Sequence, residues 1–483
     1  MTIPRFRKSL LLAFGMTLLA ALPLCPAQSR AAETQAMLLV RNAYVFSMAD
    51  GQKTPFIGYM AVGADGRIRA VGQGEPPRDL RAATSIDAHG HWIMPGFISA
   101  HSHLWQAAYR GLAQDKTLPG WIDALYAQQA AHATPEDFYW FTLDGALDHL
   151  RHGITGAYNF NYGDALPNPP ERDNVNHQEF RAEMASGIRF VHGVQAIAGG
   201  RDHTLDGARR HLKQFLAWSA AQPHGGRLLS VMLNGTVAFE ANPADALAEA
   251  RLEGTLMHEF GVANQTHYLE PPDSIQSEQA VFPDFARTGM MGKTLIFGHF
   301  IHTTPDIVAQ AARAGAAMSW NPLSNGRLAS GVADIPAYLK AGIRVGMGVD
   351  GEASADVADP FENMRTGLYA VRDKYQNAAI MGPYDVLRLH TVGSADVLNA
   401  SDRVGSLEPG KFADFLMIDP SHLAHVFDPY ATLVFAASQQ DLEQVYVGGR
   451  LKVDHGRILH QDMAAVEAQA DRRVAASQAG APR

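Results

Sequence analysis

The sequence predicts an α/β fold: a (β/α)8 TIM-type barrel with a small β-sandwich built from both ends of the chain. Eight mostly apolar runs of strand length alternate with helical stretches through the middle of the chain. Their span of roughly 310 residues is what eight βα units occupy. Short apolar runs broken by Gly, Asp and Pro precede and follow this region.

Residues 1–31 read as a signal peptide. Arg5, Arg7 and Lys8 precede an apolar run from Ser9 to Pro23, and Ser29-Arg30-Ala31 puts small side chains where a signal peptidase reads. The run is shorter than the roughly 20 apolar residues that span a bilayer; an uncleaved anchor is the alternative. Cleavage predicts an exported protein, periplasmic or secreted, with no integral membrane span. It removes four positive charges (Arg5, Arg7, Lys8, Arg30) from a net charge of -9, leaving -13. A nucleic-acid-binding surface has no electrostatic footprint in such a chain. Cys25, the one cysteine, lies inside the signal. The mature chain then holds no thiol, and any metal must be bound by His, Asp or Glu.

At 47% hydrophobic and 18% charged, the full chain has the composition of a globular and not of a disordered protein. Residues 32–93 hold short alternating runs with a hairpin signal at Asp65-Gly66, and residues 403–460 hold similar ones. They form one sandwich from both ends, with two independent β units as the duller alternative. Residues 94–402 hold the barrel. Its runs lie at 93–104, 154–160, 188–194, 228–235, 261–270, 294–300, 316–322 and 344–351, with helical patterns such as Pro243 to Phe260 between them. The tail, 461–483, predicts a peripheral helix.

Polar residues gather at the C-terminal ends of these runs, where such barrels place their chemistry. The first run ends in His101-Ser102-His103, whose alternate side chains share one face. The fifth ends in His267 and Glu270, the sixth in His299 and His302, the eighth in Asp350. A lone strand-end histidine is more often structural, and His89 and His91 read as loop residues. Four separate strands delivering imidazoles and a carboxylate to one face predict a centre for one divalent metal ion, Zn2+ or Fe2+.

The chain resembles the amidohydrolase superfamily, in its branch of cytosine deaminase, S-adenosylhomocysteine/guanine-type deaminases and triazine hydrolases. The motifs are Pro95-GFISAHSH, Arg110-Gly111-Leu112, Trp121, Gly153-Ile154-Thr155, His267-xx-Glu270, Gly298-His299, Asn321-PLSNGRLASG, Gly348-Val349-Asp350-Gly351 and Gly405-SLEPGKFADFLMID, spread over about residues 37–460. The resemblance implies that His101, His103, His267 and Asp350 bind the metal, which lowers the pKa of a water towards about 7. It implies that Asp350 accepts that water's proton, that His299 steadies the oxyanion, and that Glu270 protonates the leaving nitrogen. Binuclear members of the family carry a carboxylated lysine or an equivalent bridging acid at the end of strand four; the fourth run here holds no lysine, so the resemblance favours a mononuclear centre. Glu270 read alone is equally a solvated loop carboxylate. His302 touches substrate or caps the following helix.

Trp105, Arg110, Trp121 and Asn325 are the further candidates for holding substrate, although Trp121 fits equally as a packed core aromatic. Asn159, Asn161 and Asp164, with the Pro/Asn-rich stretch 167–176, form a lid or a surface insertion. Nucleoside deaminases of the branch carry Glu nine residues after the Trp; here Ala130 stands there, which weakens adenosine-type substrates. The expected function is metal-dependent hydrolysis of a C–N bond in a small molecule, by deamination of an aromatic heterocycle or by amide hydrolysis. Dechlorination and carbamate or urea cleavage are variants on the same site. A non-catalytic binding barrel is the alternative class, and it should have lost a ligand or Glu270. Related barrels commonly associate, so a homo-oligomer is compatible with the sequence.

Overall fold

The computed structural model describes residues 35–161, 172–195, 204–239 and 242–478. The signal-peptide reading and most of the lid segment lie outside them. Among the described residues no helix is long and apolar enough to cross a membrane.

Eight parallel strands close the barrel: β1 (Phe97–His103), β2 (Ile154–Asn159), β3 (Arg189–Gln195), β4 (Leu228–Gly235), β5 (Asn264–Tyr268), β6 (Leu295–His299), β7 (Ala317–Trp320) and β8 (Arg344–Met347). Each pairs with the next, and the continuation of β8 at Asp350–Gly351 pairs with Ser102 and His103 of β1. The alternation of strand side chains separates two cores. Ile98, Ala100, Tyr158, Val191, Ile296 and Ala317 fill the barrel. Phe97, Ile154, Phe190, Leu233, Phe297 and Met318 face outward among the helices.

The helices start where capping chemistry directs. Thr134 and Asp137 form a capping box ahead of Pro135–Arg151, and Asn242 and Thr304 cap Pro243–Phe260 and Pro305–Ala314, each with Pro at the first turn. The two ends of the chain meet in one nine-stranded sheet. Trp92–Pro95 sits between Gln35–Val45 from the N-terminal side and Phe415–Ile418 from the C-terminal side.

That placement corrects the first barrel run. The reading from Ile93 merges two strands, because the chain changes sheets at Pro95-Gly96. The Gly96 amide donates to Asp414 at 3.0 Å. A Cβ on Gly96 would lie 2.1 Å from Oγ1 of Thr155, so only glycine fits the crossing.

In the C-terminal segment, helix Met463–Gln478 buries Val466 and Ala470, the latter in the cluster of Trp105 and Trp121. Arg473 on this helix pairs with the fully buried Asp137 at 2.8 Å. The helix therefore braces the segment after β1 that roofs the barrel mouth.

Candidate metal centre

His101 and His103 leave β1 on the inward face, both buried. Nδ1 of His103 donates to the Phe160 carbonyl at 2.7 Å, and Nδ1 of His101 donates to Oε1 of Gln265. Both acceptors are oxygens, so each imidazole carries a proton on Nδ1 and turns its Nε2 inward. These atoms lie 3.5 Å and 3.2 Å from Oδ1 of Asp350. His267 on β5 completes the cluster, its ring stacked on His103 and edge-on to His101.

The closeness of β8 to β1 depends on Gly348. A Cβ there would lie 2.6 Å from the backbone oxygen of His101 and from Oδ1 of Asn321. Leu269, His299, Phe300 and Asp350 all adopt positive φ, from 49° to 68°. Such backbone costs on the order of 1–3 kcal/mol per residue and persists only where the surroundings impose it. Backbone bonds from Phe300 to Tyr268 and from Ile301 to Leu269 do so here, at 3.0 and 2.9 Å.

The residues fit a metal ion. Ligand atoms of His101, His103 and His267 lie within 4.8 Å of one another, as do those of His101, His299 and Asp350. Nε2 of His101 is buried without a hydrogen-bond partner among the described residues. The protonation states fit too. Burial, reinforced by the neighbouring imidazoles, holds His267 well below the ordinary histidine value and lowers His103 as well. Burial alone would raise Asp350, but the imidazoles of His101, His103 and His299 gathered around it hold it well below the usual carboxylate range. Neutral imidazoles beside an ionised carboxylate are what a divalent cation requires. At the end of β4, Asn234 accepts from the Tyr158 hydroxyl and donates to the carbonyl of Asn161.

His299 is held the other way round. Nδ2 of Asn325 donates to its Nδ1 at 2.7 Å, while Asn321 is more distant, 3.5 and 3.4 Å from the two ring nitrogens. The proton of this neutral imidazole therefore sits on Nε2, which faces Oε2 of Glu270 at 3.4 Å and Oδ2 of Asp350 at 3.8 Å. Burial pushes His299 down to about 3. Burial, and then the charge of Asp350, raises Glu270 well above the ordinary glutamate value. The site thus gathers three imidazoles, one carboxylate held low, one N–H donor and one carboxyl whose protonated form burial favours.

The other sequence candidates lie around this core. Trp105 is fully buried against Tyr109, Tyr126 and Phe138. Trp121 is buried, its Nε1 donating to Ala353 at 2.8 Å. Arg110 pairs with Glu352 and with Asp148, and lines an outer cavity of about 310 Å³ with Asp144 and Arg151. Nε2 of His302 donates to the Ser330 carbonyl at 2.8 Å; Thr304, not His302, caps the following helix. Ser330 in turn donates to Oε1 of Glu270 at 3.3 Å.

Sequence reasoning missed Gln265, Ser330 and Glu278. Glu278 accepts from the Leu269 amide and from Ser274 and so braces the turn that carries Glu270. Gln265 could have been found, since it sits two residues before His267 and so shares its face.

The family description "Amidohydrolase family" matches residues 92–452. A 5-methylthioadenosine/S-adenosylhomocysteine deaminase of Desulforudis audaxviator is 30% identical over 446 residues, 90% of this chain and 97% of that one. A 5'-deoxyadenosine deaminase of Methanosarcina barkeri is 27% identical over 88% of this chain and 94% of its own. Among solved structures, an adenosine deaminase from Xanthomonas campestris with bound zinc superimposes with a TM-score of 0.79 at 23% identity, covering 92% of this chain and 99% of that one. A variant of atrazine chlorohydrolase from Arthrobacter aurescens, complexed with zinc and atraton, gives 0.78 at 23% identity over 91% and 100%. On the family match and the full-length similarity, the chain belongs to the amidohydrolase family and is a hydrolase of carbon–nitrogen bonds in small molecules.

Proposed function

We propose that the protein is an exported, zinc-dependent deaminase of an aminated heteroaromatic ring. The observation that carries this is Glu270: a buried carboxyl, its pKa raised by burial and by the charge of Asp350, 3.4 Å from Nε2 of His299 at the rim of the histidine cluster. His101, His103, His267 and Asp350 would hold the cation, which when bound supplies Lewis acidity and lowers the pKa of a water towards about 7.

The chain's own groups do the rest. Asp350, ionised and within reach of three imidazoles, takes up a proton from the attacking water. His299 donates from Nε2 to the attacking oxygen and steadies its negative charge as it adds to the ring carbon. Glu270 delivers its proton to the departing nitrogen, which is far too basic to leave as an anion. Chloride needs no such proton, so a protonated Glu270 favours an amine as leaving group.

The named substrates of the two deaminase relatives support an aminopurine ring. Ala130, buried nine residues after Trp121, supports recognition of the ring over that of a ribose. Trp105, Trp121 and Arg110 shape the loop above the site, and Asn325 acts through His299. Zinc is favoured over iron by the zinc in the two related structures. Export rests on Arg5, Arg7 and Lys8 ahead of the apolar run.

The test is metal analysis of the mature protein with an ammonia-release screen over adenine nucleosides, aminopyrimidines, aminotriazines and primary amides. About one zinc per chain and ammonia from a ring amine are expected. Zinc-loaded protein releasing ammonia only from primary amides would overturn the deaminase reading. N-terminal sequencing of the exported chain should start at Ala32.

A further inference from the structure

Strand β5 carries a polar side chain that the chemistry above leaves without a task. Gln265 is fully buried on the inward face, two residues before His267. Its Nε2 donates to the backbone carbonyl of Ala100 at 2.8 Å, which turns its Oε1 towards Nδ1 of His101. The Ala100 carbonyl can only accept, so the carboxamide has one usable orientation, and its oxygen can only accept from His101. The imidazole proton is therefore fixed on Nδ1, and the lone pair on Nε2.

We propose that Gln265 is a positioning residue for the metal centre, setting the tautomer and ring orientation of His101 from the opposite wall of the barrel. Strand β5 thereby supplies one ligand, His267, and the group that aims another. The choice of an amide has a physical reason. A carboxylate here would add a second anion close to Asp350, at the cost of burying it and of weakening the cation's pull on its water. An amide orients the ring and brings no charge.

The proposal rests on the metal reading of the site, and its test separates the two. Zinc affinity of the mature protein is measured by chelator competition for the parent, His101→Ala, Gln265→Leu and Gln265→Glu, with thermal midpoints taken with and without zinc. Leucine keeps the volume and removes the acceptor; glutamate restores the acceptor. The expected result is zinc binding weakened about 10–100-fold in Gln265→Leu. The zinc-free midpoint of this variant should match the parent's, and Gln265→Glu should return affinity to within a few-fold of the parent.

A parent that binds no zinc would overturn the metal reading and this proposal together. A parent that binds zinc, with His101→Ala weakened and Gln265→Leu unchanged, would overturn this proposal alone. So would loss of affinity in both Gln265 variants together with a fall in their zinc-free midpoints, which would mark Gln265 as packing only.

Discussion

Nδ2 of Asn325 lies 2.7 Å from Nδ1 of His299, and this one contact separates His299 from the imidazoles beside it. His101 and His103 give their Nδ1 protons to oxygens; His299 receives one and keeps its own proton on Nε2. Asn325→Asp reverses that, because a carboxylate draws a proton onto Nδ1 and leaves Nε2 bare towards Glu270. We expect kcat to fall about 10–100-fold with zinc content unchanged. Turnover at the parent's level with full zinc would show that the tautomer of His299 does not matter.

As the proposed proton donor, Glu270 should set the alkaline side of the pH profile. Burial, then the charge of Asp350, raises its pKa, and the protonated form is the active one. Activity should be lost as pH rises through that raised value. Glu270→Gln should lower kcat by about 10²–10⁴ for amine leaving groups and by much less for a substrate releasing chloride. Equal losses across a leaving-group series would remove the general-acid role.

How much of this was legible depended on whether a side chain's partners lie along its own strand. His101, His103, His267, His299 and Asp350 could be found because each ends an apolar run, and barrel topology brings such ends together without further information. Gln265 meets His101 across 164 residues of sequence, and Ser330 meets Glu270 across 60. No local pattern encodes such pairings. The merged first strand failed for a similar reason. Trp92–Pro95 and Phe97–His103 are both buried, so the apolar run does not break where the chain changes sheets.

Removing the metal should destabilise the fold as well as silence it. His101, His103, His267 and Asp350 converge on one point, and a cation bound there stabilises the folded state over the unfolded one. At free zinc about a thousand times its Kd, chelation should cost about 4 kcal/mol of stability. A calorimetric scan with and without chelator reads this, and zinc should restore the parent but not His101→Ala.

Asp144 lines the cavity beside Arg110, and burial, then the charges of Asp148 and Glu467, raise its pKa to about 7. A carboxyl raised above its unfolded value holds its proton in the folded state. Its contribution is present below about pH 4 and is lost as pH climbs to about 7. Asp144→Asn should therefore gain thermal stability over the parent at pH 8 and show little difference at pH 4. A constant offset between the two proteins at both pH values would count against this.

Arg189 opens β3 at the barrel end away from the metal site and grips Asp414 of the end sheet with two bonds, at 2.5 and 2.7 Å. Both side chains are buried, and the guanidinium lies 3.7 Å from the ring centre of Phe412. Asp414 also accepts from the Gly448 amide at 2.7 Å. Asp414→Asn leaves a buried cation without its counter-charge, which costs about 3–5 kcal/mol where a buried pair is broken one-sidedly. Replacing both residues by apolar ones of similar size should recover much of that loss, since neither charge then remains to be desolvated. Urea denaturation of the two singles and the double closes the cycle, with kcat per folded molecule expected to stay at the parent value. A double variant no more stable than Asp414→Asn would show that Arg189 supports the junction by packing on Phe412 and not by pairing with Asp414.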